Sequence, residues 1–244
     1  MMIRVMMAAP FHAMGRFQGG IHTIANSIVA EKEALSKAGI ALLSFETCRI
    51  QRNNSDGKLN LENINNFLLC YRDSIKEIQL TNADIFYLHS SRGLALIKDL
   101  LILRHIKKRT GCKTVLHIHF AGADHILPGK RILDNWAIVA LKTYVDRVVF
   151  LSEKTRNEFV ALGFPSEKTH VVYNFSTLSY EEDWKIEEKN KERQFLFIGS
   201  IDKRKGVFDF LDVLYDVYPS NKTRTMMINQ LGEIMFKITP IIVP

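Results

Sequence analysis

Residues 3–9 form a run that is apolar but for Arg4, the pattern of a parallel strand covered on both faces, and the run ends at a loop carrying Gly15, Gly19 and Gly20. Ile21, Ile24, Ala25, Ile28 and Leu35 then keep helical spacing, and Gly39 stands where a helix gives way to a second strand over 40–45. The polar, Asn-rich stretch over 51–60 predicts a surface loop. Leu61, Ile64, Leu68, Tyr71, Ile75 and Ile78 follow as one helical stripe. From there the periods alternate: strand 84–89, helix 94–109, strand 113–119, helix 131–144, strand 147–151, helix 152–162 and a short strand over 170–173. Ser152 is the expected N-cap of its helix, and Gly163-Phe164-Pro165 the stop. Such repetition predicts an α/β fold built on a doubly wound parallel sheet.

The pattern breaks over 181–193, a highly charged segment with only two large apolar residues, Trp184 and Ile186. It reads as an interdomain linker between a first Rossmann-like domain over 1–180 and a second region over 194–244. That region offers a strand over 195–199, a helix over 207–217 and a second strand over 225–228; the stretch 235–244 is left unplaced. One β-α-β unit cannot bury both faces of a sheet, so the second domain is expected to be incomplete.

Composition narrows the chemistry. With 244 residues and 47% hydrophobic content the chain can bury a substantial core, and its net charge of +7 favours anionic partners. The basic residues are not interleaved with aromatics, so nucleic acid is not expected among them. Cys48, Cys70 and Cys112 lie outside any CxxC pattern, which argues against a disulfide framework and for a cytoplasmic protein. No apolar run approaches the roughly 20 residues of a membrane span, so membrane contact would be peripheral. Leu100-Leu-Ile-Leu103, flanked by Lys98, Arg104, Lys107, Lys108 and Arg109, could lie against anionic lipid, although a core-facing helix with a basic last turn explains it better.

Four places offer chemistry. Gly19-Gly20 precedes the first helix, where small residues let backbone N–H groups approach an anion or a sugar; a simple tight turn explains the pair equally well. His117 and His119 share a strand face, with His119 at the carboxyl end where open α/β sheets bind ligands and His117 expected to be buried and hydrogen-bonded in the sheet. A metal is the minor reading of this pair: Asp124 and His125 are near, but no third ligand has convincing spacing, and no metal is expected. Ser90, Ser91 and Arg92 end another strand at the same rim, where helix N-capping accounts for the serines equally well. Finally, Phe195-Leu-Phe-Ile-Gly-Ser-Ile-Asp-Lys-Arg-Lys-Gly206 runs from a strand into a cationic turn that opens a helix, so Lys205, with Arg204 beside it, is placed to meet a diphosphate. Asp209, Asp212 and Asp216 on that helix read as a solvated face.

Three segments in register carry a family resemblance: Val148-Val-Phe-Leu-Ser-Glu-Lys-Thr155, then Gly163-Phe-Pro-Ser-Glu-Lys168 with Val171-Val-Tyr-Asn174, then the 195–206 segment. Together they resemble the retaining glycosyltransferases of family 4, whose GT-B fold pairs two Rossmann-like domains. The resemblance implies an acceptor-side domain over 1–180 and the start of a donor-binding domain over 194–244. It also implies that Gly19 and Gly20 line the sugar and phosphate side of the cleft, that His119 is the catalytic-site histidine positioning the sugar, and that Lys205 contacts the diphosphate. Asn174 matches the family's asparagine before the domain crossover, with Phe175 in place of a common glycine. Ser200 stands where many members carry arginine, a contact Arg204 could replace.

By the same resemblance the reaction is hexosyl transfer from a nucleotide-sugar, as co-substrate, to a glycan or lipid-linked acceptor, with retention and no obligatory metal or other cofactor. The setting implied is polysaccharide or lipopolysaccharide assembly in the cytoplasm or at the inner face of the cell membrane. The family's Glu-x7-Glu element has no counterpart before Pro244, so a shortened reading frame, and a catalytically inactive remnant or interaction module, is the alternative expectation.

Overall fold

The computed structural model describes residues 2–12, 20–48, 60–123, 131–175, 193–197, 205–217, 224–228 and 234–238. The chain divides into two compact units, Met1–Thr177 and Leu178–Pro244.

The first unit runs β1 (Ile3–Ala9), α1 (Gly20–Ala30), α2 (Lys32–Lys37), β2 (Ile40–Glu46), α3 (Leu61–Thr81), β3 (Ile85–Ser90), α4 (Leu94–Arg109), β4 (Lys113–Ile118), α5 (Arg131–Tyr144), β5 (Arg147–Phe150), α6 (Glu153–Ala161) and β6 (Thr169–Val171). Its six strands are all parallel, in the order β2-β1-β3-β4-β5-β6. This is the α/β, Rossmann-like arrangement that the alternation of periods predicts. The chain leaves β1 toward β2 on one side and continues through β3 on the other, so the topological switch point falls between β1 and β3.

One sheet face carries Met6, Ala8, Phe45, Phe86, Leu88, Leu116, Ile118, Val148 and Phe150, packed with residues of α3, α4, α5 and α6 into the larger core. Phe150 and Phe159 anchor it, with ring centroids 5.0 Å apart and both side chains fully enclosed. Met7, Ala9, Ala25 and Leu42 form a smaller core with Val5, Ile28 and Tyr87 around it. Leu100, Ile102 and Leu103 belong to buried surface, so α4 spends this segment on the core and not on a lipid surface. No helix among the described residues is long and apolar enough to cross a membrane.

Three expectations shift. The helix read through Leu35 is two, interrupted at Glu31, whose N–H bonds to the Ile28 carbonyl at 3.2 Å. In α3 half of the stripe faces inward, with Ile78 buried and Tyr71 and Ile75 packed against the core beside buried Asn66, Cys70 and Ser74, whereas Leu61 and Leu68 are 84% and 55% exposed. Polar residues can take inward positions because they are hydrogen-bonded: Asn66 Nδ2 donates to the Thr47 carbonyl at 2.8 Å and Ser74 Oγ to that of Tyr71 at 3.0 Å. The last strand stops at Val171 because its partner β5 ends at Phe150, and the Val172 N–H takes the final bond to the Phe150 carbonyl at 2.9 Å.

Local signals elsewhere act as expected. Ser152 Oγ accepts from the Thr155 N–H at 3.3 Å and caps α6, and Gly163 follows with φ +81°, a conformation that favours glycine. None of the three cysteines is in a disulfide.

The second unit contains β7 (Arg193–Phe197), α7 (Val207–Val217), β8 (Arg224–Ile228) and β9 (Ile234–Ile238), with sheet order β7-β9-β8. β9 lies almost wholly in the stretch left unplaced and pairs antiparallel with both neighbours. β7 and β8 therefore run in the same direction, as a β-α-β unit requires, with β9 filling the lane between them. Residues 229–233 alone separate β8 from β9, and short connections favour antiparallel pairing. The charged segment 181–193, apart from Arg193, lies outside the described residues.

Candidate functional site

β3 and β4 pair from Ile85 opposite Lys113 to Ser90 opposite Ile118, which sets His89 directly beside His117. The two-residue period then gathers Tyr87, His89, His117 and His119 on one face at the carboxyl end of the sheet. His119 extends the ladder beyond β4 through its N–H to the Ser90 carbonyl at 2.9 Å. The three imidazoles stack into a cluster, with ring centroids 5.1 Å apart for His89 and His117, 4.1 Å for His117 and His119, and 5.0 Å for His89 and His119. β3 borders the switch point, the position at which open parallel sheets bind ligands.

Two hydrogen bonds organise the rings. Nδ1 of His89 lies 2.8 Å from Nε2 of His119, one donating to the other. Tyr87 Oη lies 2.8 Å from Nδ1 of His117, the in-sheet hydrogen bond expected of that residue. Nε2 of His89 and Nε2 of His117 are buried and have no hydrogen-bond partner among the described residues. The strand ends are held from outside: Ser90 Oγ donates to buried Asp99 on α4 at 2.7 Å, and Glu158 on α6 accepts from the Ala123 N–H at 2.9 Å. Ser90 is therefore a tether and not an N-cap; Gly93 occupies the cap position of α4 with φ +79°.

Burial lowers all three imidazole pKa values, to about 2 for His89, where His117 and His119 add to the effect. It brings His117 to about 3, with His119 contributing, and His119 to about 4. Burial also pushes the Tyr87 phenol up. At neutral pH the cluster is thus uncharged, and each imidazole carries one N–H donor and one lone pair. Such a set can hydrogen-bond a hydroxyl or ligate a metal ion; it cannot supply a positive charge.

Other site candidates fall as follows. Gly20 opens α1, is exposed, and leaves space in which an added Cβ would meet nothing within 4 Å. Packing at this position does not demand glycine. The loop leading there is fastened at its start by Glu46, whose Oε2 accepts from the backbone N–H groups of Phe11 at 3.0 Å and His12 at 2.9 Å. Asn174 is exposed after β6. In the second unit Lys205 is exposed at the turn into α7, next to Gly206 with φ +70° and buried Val207. Asp209, Asp212 and Asp216 are exposed on α7, the solvated face expected. Gly19, Asp124, His125, Ser200 and Arg204 lie outside the described residues.

His89 and Tyr87 are the site residues that reading along the chain missed. The third imidazole beside His117 and His119 comes from the adjacent strand, as His89. Its trace in the sequence is two consecutive strands that each carry a histidine within two residues of the carboxyl end.

None of the curated proteins matches this chain. Among solved structures, HepE of Anabaena in complex with UDP and glucose is similar at 16% identity and a TM-score of 0.41, over 70% of this chain and 44% of that one. UDP-N-acetylglucosamine 2-epimerase of Rickettsia bellii gives 13% identity and a TM-score of 0.43 over 70% of this chain and 44% of that one. MurG of Acinetobacter baumannii gives 13% identity and a TM-score of 0.40 over 69% of this chain and 45% of that one. The chain thus spans less than half the length of each of these structures. The sequence pattern of Glycosyltransferase Family 4 matches residues 42–179, more than half of the chain, from β2 through the end of the first sheet. By that match the chain belongs to Glycosyltransferase Family 4.

Proposed function

We propose that this chain takes part in glycosyl transfer from a nucleotide-sugar to a hydroxyl of a glycan or lipid-linked acceptor, with retention, in the assembly of a polysaccharide or lipopolysaccharide. The family match over residues 42–179 carries the reading. The rim chemistry supports it: neutral His119 can hydrogen-bond a sugar hydroxyl, and the N-terminus of α1 at Gly20, in the same unit, can offer backbone donors. In the second unit exposed Lys205 precedes α7, a position suited to an anionic diphosphate, with Arg204 and Ser200 as further proposed donor contacts; Gly19 is the proposed contact of the first unit. In this reading stabilisation of the departing diphosphate, not a metal, supplies most of the rate enhancement.

A second reading, a non-catalytic module that retains the acceptor domain, is favoured by one observation: nearly all of the family match lies within the first unit, which ends at Thr177. A panel of nucleotide-sugar donors offered with and without acceptor lipids separates the two. The transfer reading expects turnover of at least one donor; no turnover and no donor-dependent thermal shift with any of them leaves the binding module.

A further inference from the structure

We infer that His89, His117 and His119 form a binding site for a zinc-class divalent metal ion. The inference does not rest on the transfer reading. One nitrogen from each residue can be chosen so that all three lie within 4.8 Å of one another. Zinc–imidazole bonds of about 2.0–2.1 Å in tetrahedral geometry place the ligand nitrogens about 3.3 Å apart. Rotation of the rings within the existing cluster covers the difference: the 2.8 Å hydrogen bond between His89 Nδ1 and His119 Nε2 would break, which frees the His119 lone pair and lets His89 keep its proton on Nδ1 and present Nε2.

The orphaned atoms point the same way. Nε2 of His89 and Nε2 of His117 are buried without a partner among the described residues, on side chains whose residues are 4% and 3% exposed. A native interior leaves few such atoms unless an ion or a water completes them. Tyr87 is placed as the outer partner of a ligating histidine: with His117 Nδ1–H donating to Tyr87 Oη, the Nε2 lone pair is free for a metal. Three nitrogen donors with no carboxylate among them select zinc, cobalt or copper over magnesium or calcium. His119, the least buried of the three, leaves a side from which a fourth ligand, water or another small molecule, can enter.

The test uses the full, untagged chain, stripped with chelator and titrated with cobalt as a spectroscopic stand-in for zinc. One cobalt per chain is expected, with the intense visible bands of a four-coordinate ion, displaced by zinc and not by magnesium. X-ray absorption at the cobalt edge should count three imidazole nitrogens. His119→Gln should weaken cobalt binding at least tenfold, and Tyr87→Phe by about 10–100-fold, the effect usual for an outer partner. Absence of the bands in the wild-type chain, binding that survives His119→Gln unchanged, or fewer than three imidazoles at the ion would each overturn the site. The wild-type titration and the absorption edge decide even if His89→Ala or His117→Ala fails to fold. A chain that turns over no donor but binds cobalt in this way keeps the metal site and loses the transfer reading; the converse result does the opposite.

Discussion

His89 and His117 occupy the same register position on neighbouring parallel strands, and each buries an Nε2 atom that meets no partner among the described residues. The sheet brings together imidazoles that stand 28 positions apart in sequence, and their enclosure keeps them neutral.

This enclosure makes the metal-free fold sensitive to mild acid. The folded-state pKa values of His89 and His117 lie below the ordinary 6.5, so the unfolded chain binds more protons as pH falls, and stability is complete above about 6.5 and drains away below it. At pH 5 each of the two costs up to about 2 kcal/mol, from about 1.4 kcal/mol per pH unit. Denaturant unfolding at pH 7 and pH 5 checks this. His117→Asn should flatten the dependence; equal stability of the wild type at the two values would mean that the histidines are already protonated or solvated in the fold.

The inward face of α3 is equally testable. Leu68→Gln, at an exposed position, should change stability by no more than about 0.5 kcal/mol. Ile78→Ala, at 4% exposure, should cost about 2–4 kcal/mol. Thermal or urea unfolding of the two variants checks that the inward face keeps Ile78 and leaves Leu68 out; the reverse order would contradict it.

Asp146 joins α4 to β4. Its carboxylate accepts from Lys107 Nζ at 2.6 and 2.7 Å, from the Thr114 N–H at 2.8 Å and from Thr114 Oγ1 at 3.1 Å. Burial alone would raise its pKa, but the lysine and the threonine outweigh that and hold it below the ordinary carboxylate value. Its contribution is therefore present above that ordinary value and lost as pH falls through the folded one. Asp146→Ala should cost about 1–3 kcal/mol at pH 7, less in acid, read from denaturant midpoints.

The parts of the fold that could be read from the chain are those written locally. β1, β3, β4 and β5 are apolar runs bounded by turn residues, and α6 announces itself through Ser152 and Gly163. Of the inward face of α3, Tyr71, Ile75 and Ile78 were legible, whereas Asn66 and Ser74 were not, because they are polar residues whose burial depends on bonds to the carbonyls of Thr47 and Tyr71. β9 was not evident because its lane between β7 and β8 is defined by pairing and by no local signal. At the site, His119 was legible as a strand-end histidine, whereas His89 depends on interstrand register, which no local period encodes.

His119 tests the sugar side of the proposed transfer. His119→Ala should lower turnover by on the order of a hundredfold, the scale of losing one well-placed hydrogen-bonding group in a water-poor site. Circular dichroism should show the fold retained, because the residue lies at the rim and is the least buried of the three histidines. Unchanged turnover in a folded variant would remove His119 from the reaction.

The most direct measurement is turnover of a nucleotide-sugar panel by the untagged chain in the presence of chelator, alongside Lys205→Ala. At least one donor should be consumed with the metal removed, and Lys205→Ala should lower kcat/KM for it by at least about tenfold while the melting temperature stays unchanged, because Lys205 is exposed. No consumption of any donor by the wild-type chain, together with no donor-dependent thermal shift, would contradict the proposed transfer.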